Sequence, residues 1–370
     1  MEARQERSCA TGTSGSGRLG YADPSSHADD SPGLPESPES PGRRRWIRAA
    51  AATGGVLALG ACGSEASGLP TEPRAPVAAP LDLPRPEAGA ARIAWVLSSG
   101  GPRGFLHVGV LKGLAAVGLA PDLVVGASAG ALAGTLWAAG LEAGQIEKIA
   151  LSVQPWNLLR WNPRGPEWFH AGGLAALVNE AAGGRTLQEL PVPCACVALR
   201  LEDQEVVAFT RGDPGLAVQA SAAIVGQLAP VRIRGMRYAD ADLHLPLPVR
   251  LARRLGATHV LAVDASAHEQ NAPPQAERYR ESDRRKRELT QPDAHLADVL
   301  LHPDTGYWAG WTRSYRERLI AAGEAAVNAR TAQLQALHAA QRRLGRSLGS
   351  PFGGQSGLQE AWPSGLRHRS

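Results

Sequence analysis

An α/β fold on a mainly parallel sheet is predicted by three features of this sequence. Residues 93–97 form an apolar, strand-like run that enters Ser98-Ser99-Gly100-Gly101-Pro102-Arg103-Gly104 and then a helix-forming segment over 107–117. Residues 123–125 repeat the pattern, passing through Gly126-Ala127-Ser128-Ala129-Gly130 into a helix over 131–139 that stops at Gly140. Further strand-like runs at 194–199, 205–210 and 259–263 are interspersed with helical ones. Strand, helix, strand, helix in that order implies parallel strands joined by right-handed crossovers.

The chain has 370 residues, enough for one large domain or two ordinary ones. Its formal net charge is +4, but the basic residues of the central region are not gathered on one stripe, so nucleic acid is not an expected partner. Four cysteines are too few for a disulfide scaffold. Cys194 and Cys196 alternate on one face of a strand and are expected to pack as small apolar side chains. No metal-ligand spacing surrounds them, and no metal or organic cofactor is implied.

The chemistry concentrates at Ser128. Gly-x-Ser-x-Gly between a strand and a helix is the setting of a nucleophile elbow. A sharp turn of that kind needs close backbone approach and unusual dihedrals, which Gly126 and Gly130 are expected to tolerate. It lifts the Ser128 hydroxyl over the amino end of a helix, where free N–H groups favour negative charge. Gly100, Gly101, Pro102, Arg103 and Gly104 form a second element, a loop whose backbone N–H groups can converge on an oxyanion. The order in this loop is Gly-Gly-Pro-Arg-Gly rather than Gly-x-Gly-x-x-Gly, which weakens a dinucleotide reading.

These two motifs, in this order and spacing, resemble those of the patatin-like phospholipases. The resemblance runs from about Arg92 to about Ala329. It implies a three-layer α/β/α sandwich, an oxyanion hole at Gly100–Gly104, and Ser128 as nucleophile of a Ser–Asp dyad. Tyr238-Ala239-Asp240-Ala241-Asp242, with Pro246 and Pro248 trailing, resembles the family's Tyr-x-Asp-Gly-Gly segment and places Asp240 on the general base. Asp240 and Asp242 share a face of an extended chain, so period alone does not choose between them. Ala241 and Asp242 depart from the family's glycines. Because alanine tolerates positive φ poorly, a shifted loop or impaired catalysis is expected there.

The remaining segments are read in order. Residues 1–42, rich in Ser, Pro, Gly and Asp, are expected to be disordered. Arg43-Arg44-Arg45-Trp46-Ile47-Arg48 followed by an apolar run to Ala61 resembles a twin-arginine export signal, and Leu59-Gly60-Ala61-Cys62 resembles a lipobox that lipidates Cys62. Residues 62–90 read as a flexible tether, 91–345 as the catalytic domain, and 346–370 as a disordered tail. A short helix is expected over 144–152. Residues 155–170 hold Trp156, Trp161 and Trp168, either as a loop packed by its own aromatics, the favoured reading, or as an acyl-chain entrance. Ala217 to Ile224 reads as a small-residue helix with a structural Ser221, residues 230–238 as a hairpin closing on Asp240, and 248–255 as a helix. The charged stretch 269–287 is expected to be an exposed insertion, and 313–344 one long helix. For the histidines, including His107, His259 and His268, structural roles are preferred over a triad.

The expected function is hydrolysis of lipid esters by a serine acyl hydrolase at a membrane surface, held in the cell envelope by lipidated Cys62. The alternatives are an impaired lipoprotein that binds lipid or a partner, and a cytoplasmic esterase whose leader is not a signal. The sequence leaves the oligomeric state open.

Overall fold

A computed structural model describes residues 74–79, 92–163 and 165–345. The expectations for 1–42, 43–61, Cys62 and 346–370 lie outside the described residues.

The first βα unit is β1 (Ile93–Leu97), a 3-10 turn over Gly101–Gly104 and α1 (Phe105–Ala116). The second is β2 (Leu123–Ala127) and α2 (Ala129–Ala138). Next come α3 (Ala143–Ser152), a single turn α4 (Pro155–Leu158), a small hairpin of β3 (Arg160–Trp161) and β4 (Phe169–His170), and α5 (Gly172–Ala182). Then follow β5 (Cys194–Arg200), β6 (Glu205–Phe209), α6 (Pro214–Ser221), β7 (Val231–Ile233), β8 (Met236–Ala239) and α7 (Val249–Arg254). The described chain closes with β9 (His259–Val263), α8 (Arg280–Ala294), β10 (Val299–Leu301), α9 (Arg313–Ala329) and α10 (Thr331–Gly345).

The central sheet has eight strands in the order β10-β9-β1-β2-β5-β8-β7, with β6 also paired to β5. The ladders β10–β9, β9–β1, β1–β2 and β2–β5 are parallel, while those of β5 with β6 and β8, and of β7 with β8, are antiparallel. Alternate residues of the central strands feed two separate cores. Trp95, Leu97, Val124, Cys194 and Cys196 pack with α1, α2, α6 and α9. Ala94, Val96, Val125, Ala195 and Val197 pack with α7 and the segment leading to it. This alternation makes the three-layer α/β/α sandwich. Two cores also explain why β1 and β2 read as continuous apolar runs: every residue of both is buried. β2 and β9 flank β1 on opposite sides, so the carboxyl ends of β1 and β2 lie where such sheets open a crevice.

Two expectations change. Within the stretch read as a tether, residues 74–79 lie against the turn after β6. Val77 bridges Arg211, the Asp213 N–H donates to the Arg74 carbonyl at 2.7 Å, and Ala75 is buried. The long carboxyl-terminal helix is two, because Arg330 leaves the helical region (φ −117°, ψ 14°) and the Thr331 hydroxyl donates back to the Asn328 carbonyl at 2.9 Å. The charged stretch, largely exposed, runs into the 15-residue helix α8, whose inward face reaches the site. α5 was not expected; its glycines and alanines carry little apolar periodicity, yet it packs on α6.

Candidate active site

Ser128 ends β2 and caps α2, and it carries the strain of the turn itself, with φ 52° and ψ −117°. Such a conformation in a non-glycine residue is costly and tends to occur at functional turns. The expectation that Gly126 and Gly130 take the unusual dihedrals is corrected, since neither has positive φ. They permit close approach instead. A Cβ on Gly126 would lie 2.4 Å from the Gly130 carbonyl oxygen, and one on Gly130 would lie 2.1 Å from the Leu97 carbonyl oxygen. Absent side chains thus let α2 start directly against the end of β1 and hold the serine in its strained pose.

The elbow is braced from below. The Ser128 N–H donates to Ser221 Oγ at 2.8 Å, and Ser221 Oγ donates to the Val197 carbonyl at 2.5 Å. Ser221 is fully buried at the end of α6. Its structural role was expected from its small size, but this hydrogen bond to the backbone of Ser128 has no signature in the sequence.

Asp240 follows β8, with the Ser128 hydroxyl near enough to its carboxylate to favour the ionised form. It is 5% exposed. Burial pushes its carboxyl up to about 7, helped by the negative charge of Asp242, while the Ser128 hydroxyl and the Asp242 N–H pull the other way. Ala241 is buried and is not among the residues with positive φ, so alanine brings no backbone strain here. The Asp242 N–H donates to Asp240 Oδ1 at 2.8 Å. The Asp242 side chain turns away from Ser128: its Oδ1 accepts from Lys286 Nζ at 2.7 Å and from the Ser99 hydroxyl. Burial raises the Asp242 carboxyl, but Lys286, with the Ser99 hydroxyl and Arg103, brings the group below its ordinary value.

The loop after β1 offers fewer donors than its five residues suggest. Pro102 has no N–H, and the Arg103 N–H donates to the Gly100 carbonyl at 3.0 Å. Gly100 is extended, with φ 175°. Gly101 has φ +52°, and a Cβ there would meet nothing within 4 Å, so the need for glycine is conformational. Gly104 abuts the elbow, since a Cβ on it would lie 2.4 Å from Ala129 Cβ. The first N–H groups of α2, at Ala129 and Gly130, have no acceptor within their own helix.

No described histidine joins Ser128 and Asp240. His107 is fully buried, its Nε2 donates to the Ser98 carbonyl at 2.9 Å, and burial lowers its pKa to about 4. His259 meets Thr258, and His268 stacks on His302. Among the described residues no group of His, Cys, Asp or Glu could hold a metal ion. Cys194 and Cys196 are free and buried against Thr135.

Beside the elbow lies an apolar cavity of about 580 Å³, counting its open mouth. Gly101, Gly104 and Ala129 line it together with Leu132, Leu136, Ile146, Ile149, Val153 and Leu177. Phe105 and Trp311 close one side, with Arg316 of α9 stacked on Phe105 and donating to the Ala150 carbonyl at 2.9 Å. Leu158 of α4 also lines it, which connects it to the aromatic hairpin. There Trp161 packs edge-on against Trp168 and Phe169 at centroid distances of 5.6 and 5.5 Å. The segment is packed by its own aromatics, as favoured, yet Trp156, Trp161 and Trp168 remain 71%, 56% and 68% exposed.

A strained serine between a parallel strand and a helix, with a buried carboxylate nearby, is the geometry of α/β proteins with a strand–turn–helix elbow. Residues 95–253 match the sequence model of the patatin-like phospholipases. Over this segment the chain is similar to the patatin-like phospholipase family. An uncharacterised NTE family protein of Mycobacterium tuberculosis is 32% identical over 196 residues, spanning 52% of this chain and 54% of that protein. A lysophospholipase NTE1 of Lodderomyces elongisporus is 25% identical over 188 residues, spanning 49% of this chain and 13% of that protein. The chain thus spans about half the length of the mycobacterial relative and a small part of the fungal one. Among solved structures, VipD from Legionella pneumophila superposes with a TM-score of 0.44 at 15% identity, covering 70% of each chain.

Proposed function

We propose that this protein is a serine acyl hydrolase acting on lipid esters, with Ser128 and Asp240 as its catalytic dyad. The observation that carries the reading is the strained Ser128 at the strand–helix elbow, with the buried Asp240 carboxylate near its hydroxyl and an apolar cavity alongside. Ser128 Oγ attacks the ester carbonyl carbon while its proton passes to Asp240. The carbonyl oxygen becomes an oxyanion held by N–H groups of Gly101 and of the start of α2. Collapse breaks the ester C–O bond, and the departing alkoxide takes the proton from Asp240. Water then attacks the acyl-serine, giving one proton to Asp240, and a second collapse releases the carboxylic acid and restores Ser128. A carboxyl titrating near 7 suits both directions of that transfer.

The cavity would take the acyl chain, since its walls are apolar and Gly101, Gly104 and Ala129, beside the elbow, are among its lining residues. The name of the fungal relative suggests lysophospholipids as the first substrates to try. The exposed tryptophans next to the cavity suit a membrane–water interface. We place the protein in the cell envelope, anchored by a lipidated Cys62, a reading that rests on the lipobox resemblance. Stable anchoring takes more than one acyl chain, as a diacylglyceryl cysteine would supply.

The purified full chain and its Ser128→Ala form should be assayed on lysophospholipid, diacyl phospholipid and a soluble short-chain ester. Release of fatty acid by the wild type alone supports the reading. A folded wild type that hydrolyses none of them would remove it and favour a binding role.

A further inference from the structure

We propose that Lys286 is a positioning residue for the reaction, and that α8 ties the loop carrying Asp240 to the loop carrying Gly101. The proposal rests on the reading of Asp240 as the base. Two polar routes leave one face of α8. Lys286 Nζ donates to Asp242 Oδ1 at 2.7 Å, the same oxygen accepts from the Ser99 hydroxyl at the end of β1, and the Asp242 N–H holds Asp240 Oδ1 at 2.8 Å. Asp283 lies three residues before Lys286, on the same helical face. Its Oδ2 accepts from the Tyr307 hydroxyl at 2.5 Å, and the Tyr307 carbonyl accepts from the Arg103 guanidinium of the Gly101 loop.

The helix is itself fixed near its far end. Asp293 is fully buried and accepts from the Arg250 N–H at 2.7 Å and Nε at 2.9 Å, at the start of α7. Asp283, Lys286, Thr290 and Asp293 therefore form an inward polar stripe that joins three neighbours. Its charge matters as much as its grip. Asp242 sits two residues from the base, and a second carboxylate free to turn towards Ser128 would compete for the hydroxyl and repel Asp240. The groups facing Asp240 are Asp242 on its own loop, Ser128 on the elbow and Lys286 on α8; Asp242 in turn feels Lys286, Ser99 and Arg103. Lys286 is the cation that both carboxylates share.

The test compares Lys286→Ala, Lys286→Arg, Asp242→Asn and the Lys286→Ala/Asp242→Asn double variant with wild type. Each is measured for kcat, KM and the acid limb of the pH profile on a soluble short-chain ester, with thermal melting as a check of folding. Lys286→Ala should lower kcat about tenfold or more and change KM by less than about twofold. It should also move the acid limb to higher pH by about one unit. Lys286→Arg should restore most of both. Asp242→Asn should move the limb to lower pH, and the double variant should lose the alkaline shift. Unchanged kcat and limb in Lys286→Ala would overturn the proposal, as would a kcat loss with no movement of the limb. If Lys286→Ala does not fold, Asp242→Asn decides alone, and an unmoved limb there overturns it. A wild type that is neither active nor labelled by a fluorophosphonate marks failure of the dyad reading instead.

Discussion

Asp242 donates its backbone N–H to the Asp240 carboxylate at 2.8 Å while its own side chain faces Lys286. A residue that departs from the family's pattern thus supports the base with its main chain and keeps its charge turned aside. The proposed base is nonetheless buried, and burial with the nearby Asp242 charge lifts its carboxyl to about 7. Asp240 must be ionised to accept the serine proton. Measured on a soluble ester, kcat/KM should therefore rise with pH and reach half its plateau near pH 7. A profile flat down to pH 5 would show that another group is the base, or that Asp240 is better solvated than its surroundings imply.

The same burial predicts a stability cost. A carboxyl raised from 3.8 to about 7 by folding contributes stability that is fully present below its unfolded value and is lost as pH rises through its folded value. At pH 8 the native state carries a buried charge, which opposes folding by at most on the order of 4 kcal/mol. Asp240→Asn should remove nearly all hydrolysis, by about a hundredfold or more, and yet melt several degrees higher than wild type at pH 8. Near pH 4 the gain should vanish. Equal melting temperatures at both pH values would contradict it.

The parts of the site that were legible in the sequence are those set by local backbone geometry. Strand, glycine pattern and helix follow one another within about twelve residues at each of the two loops, so Ser128 and Gly101 could be found from adjacency alone. The bracing contacts were not legible, because they join residues far apart in the chain: Ser221 to Ser128, and Lys286 to Asp242. The inward face of α8 was missed for a further reason. Burial usually announces itself as an apolar stripe, whereas the inward stripe of α8 is Asp283, Lys286, Thr290 and Asp293, satisfied by ion pairs and backbone donors. Its outward face is charged as well, with Arg284 paired to Glu281 and Glu288. Charge on every face reads as a solvated insertion.

Gly101 separates conformational need from space. Its φ of +52° disfavours any side chain, although a Cβ would meet no atom within 4 Å. Gly101→Val should therefore turn the loop's N–H groups away from the oxyanion without crowding the core. We expect kcat to fall about a hundredfold, with KM and melting temperature little changed. A variant with normal turnover would place the donors elsewhere.

The account stands on Ser128 as the nucleophile, activated by contact with Asp240. The most direct measurement is covalent labelling of the full chain with a fluorophosphonate, followed by mass mapping of the modified residue in wild type, Ser128→Ala and Asp240→Asn. We predict a single adduct on Ser128 in the wild type, none in Ser128→Ala, and a much slower adduct in Asp240→Asn. An adduct on a different serine, or no adduct on a folded and otherwise intact wild type, would contradict the account.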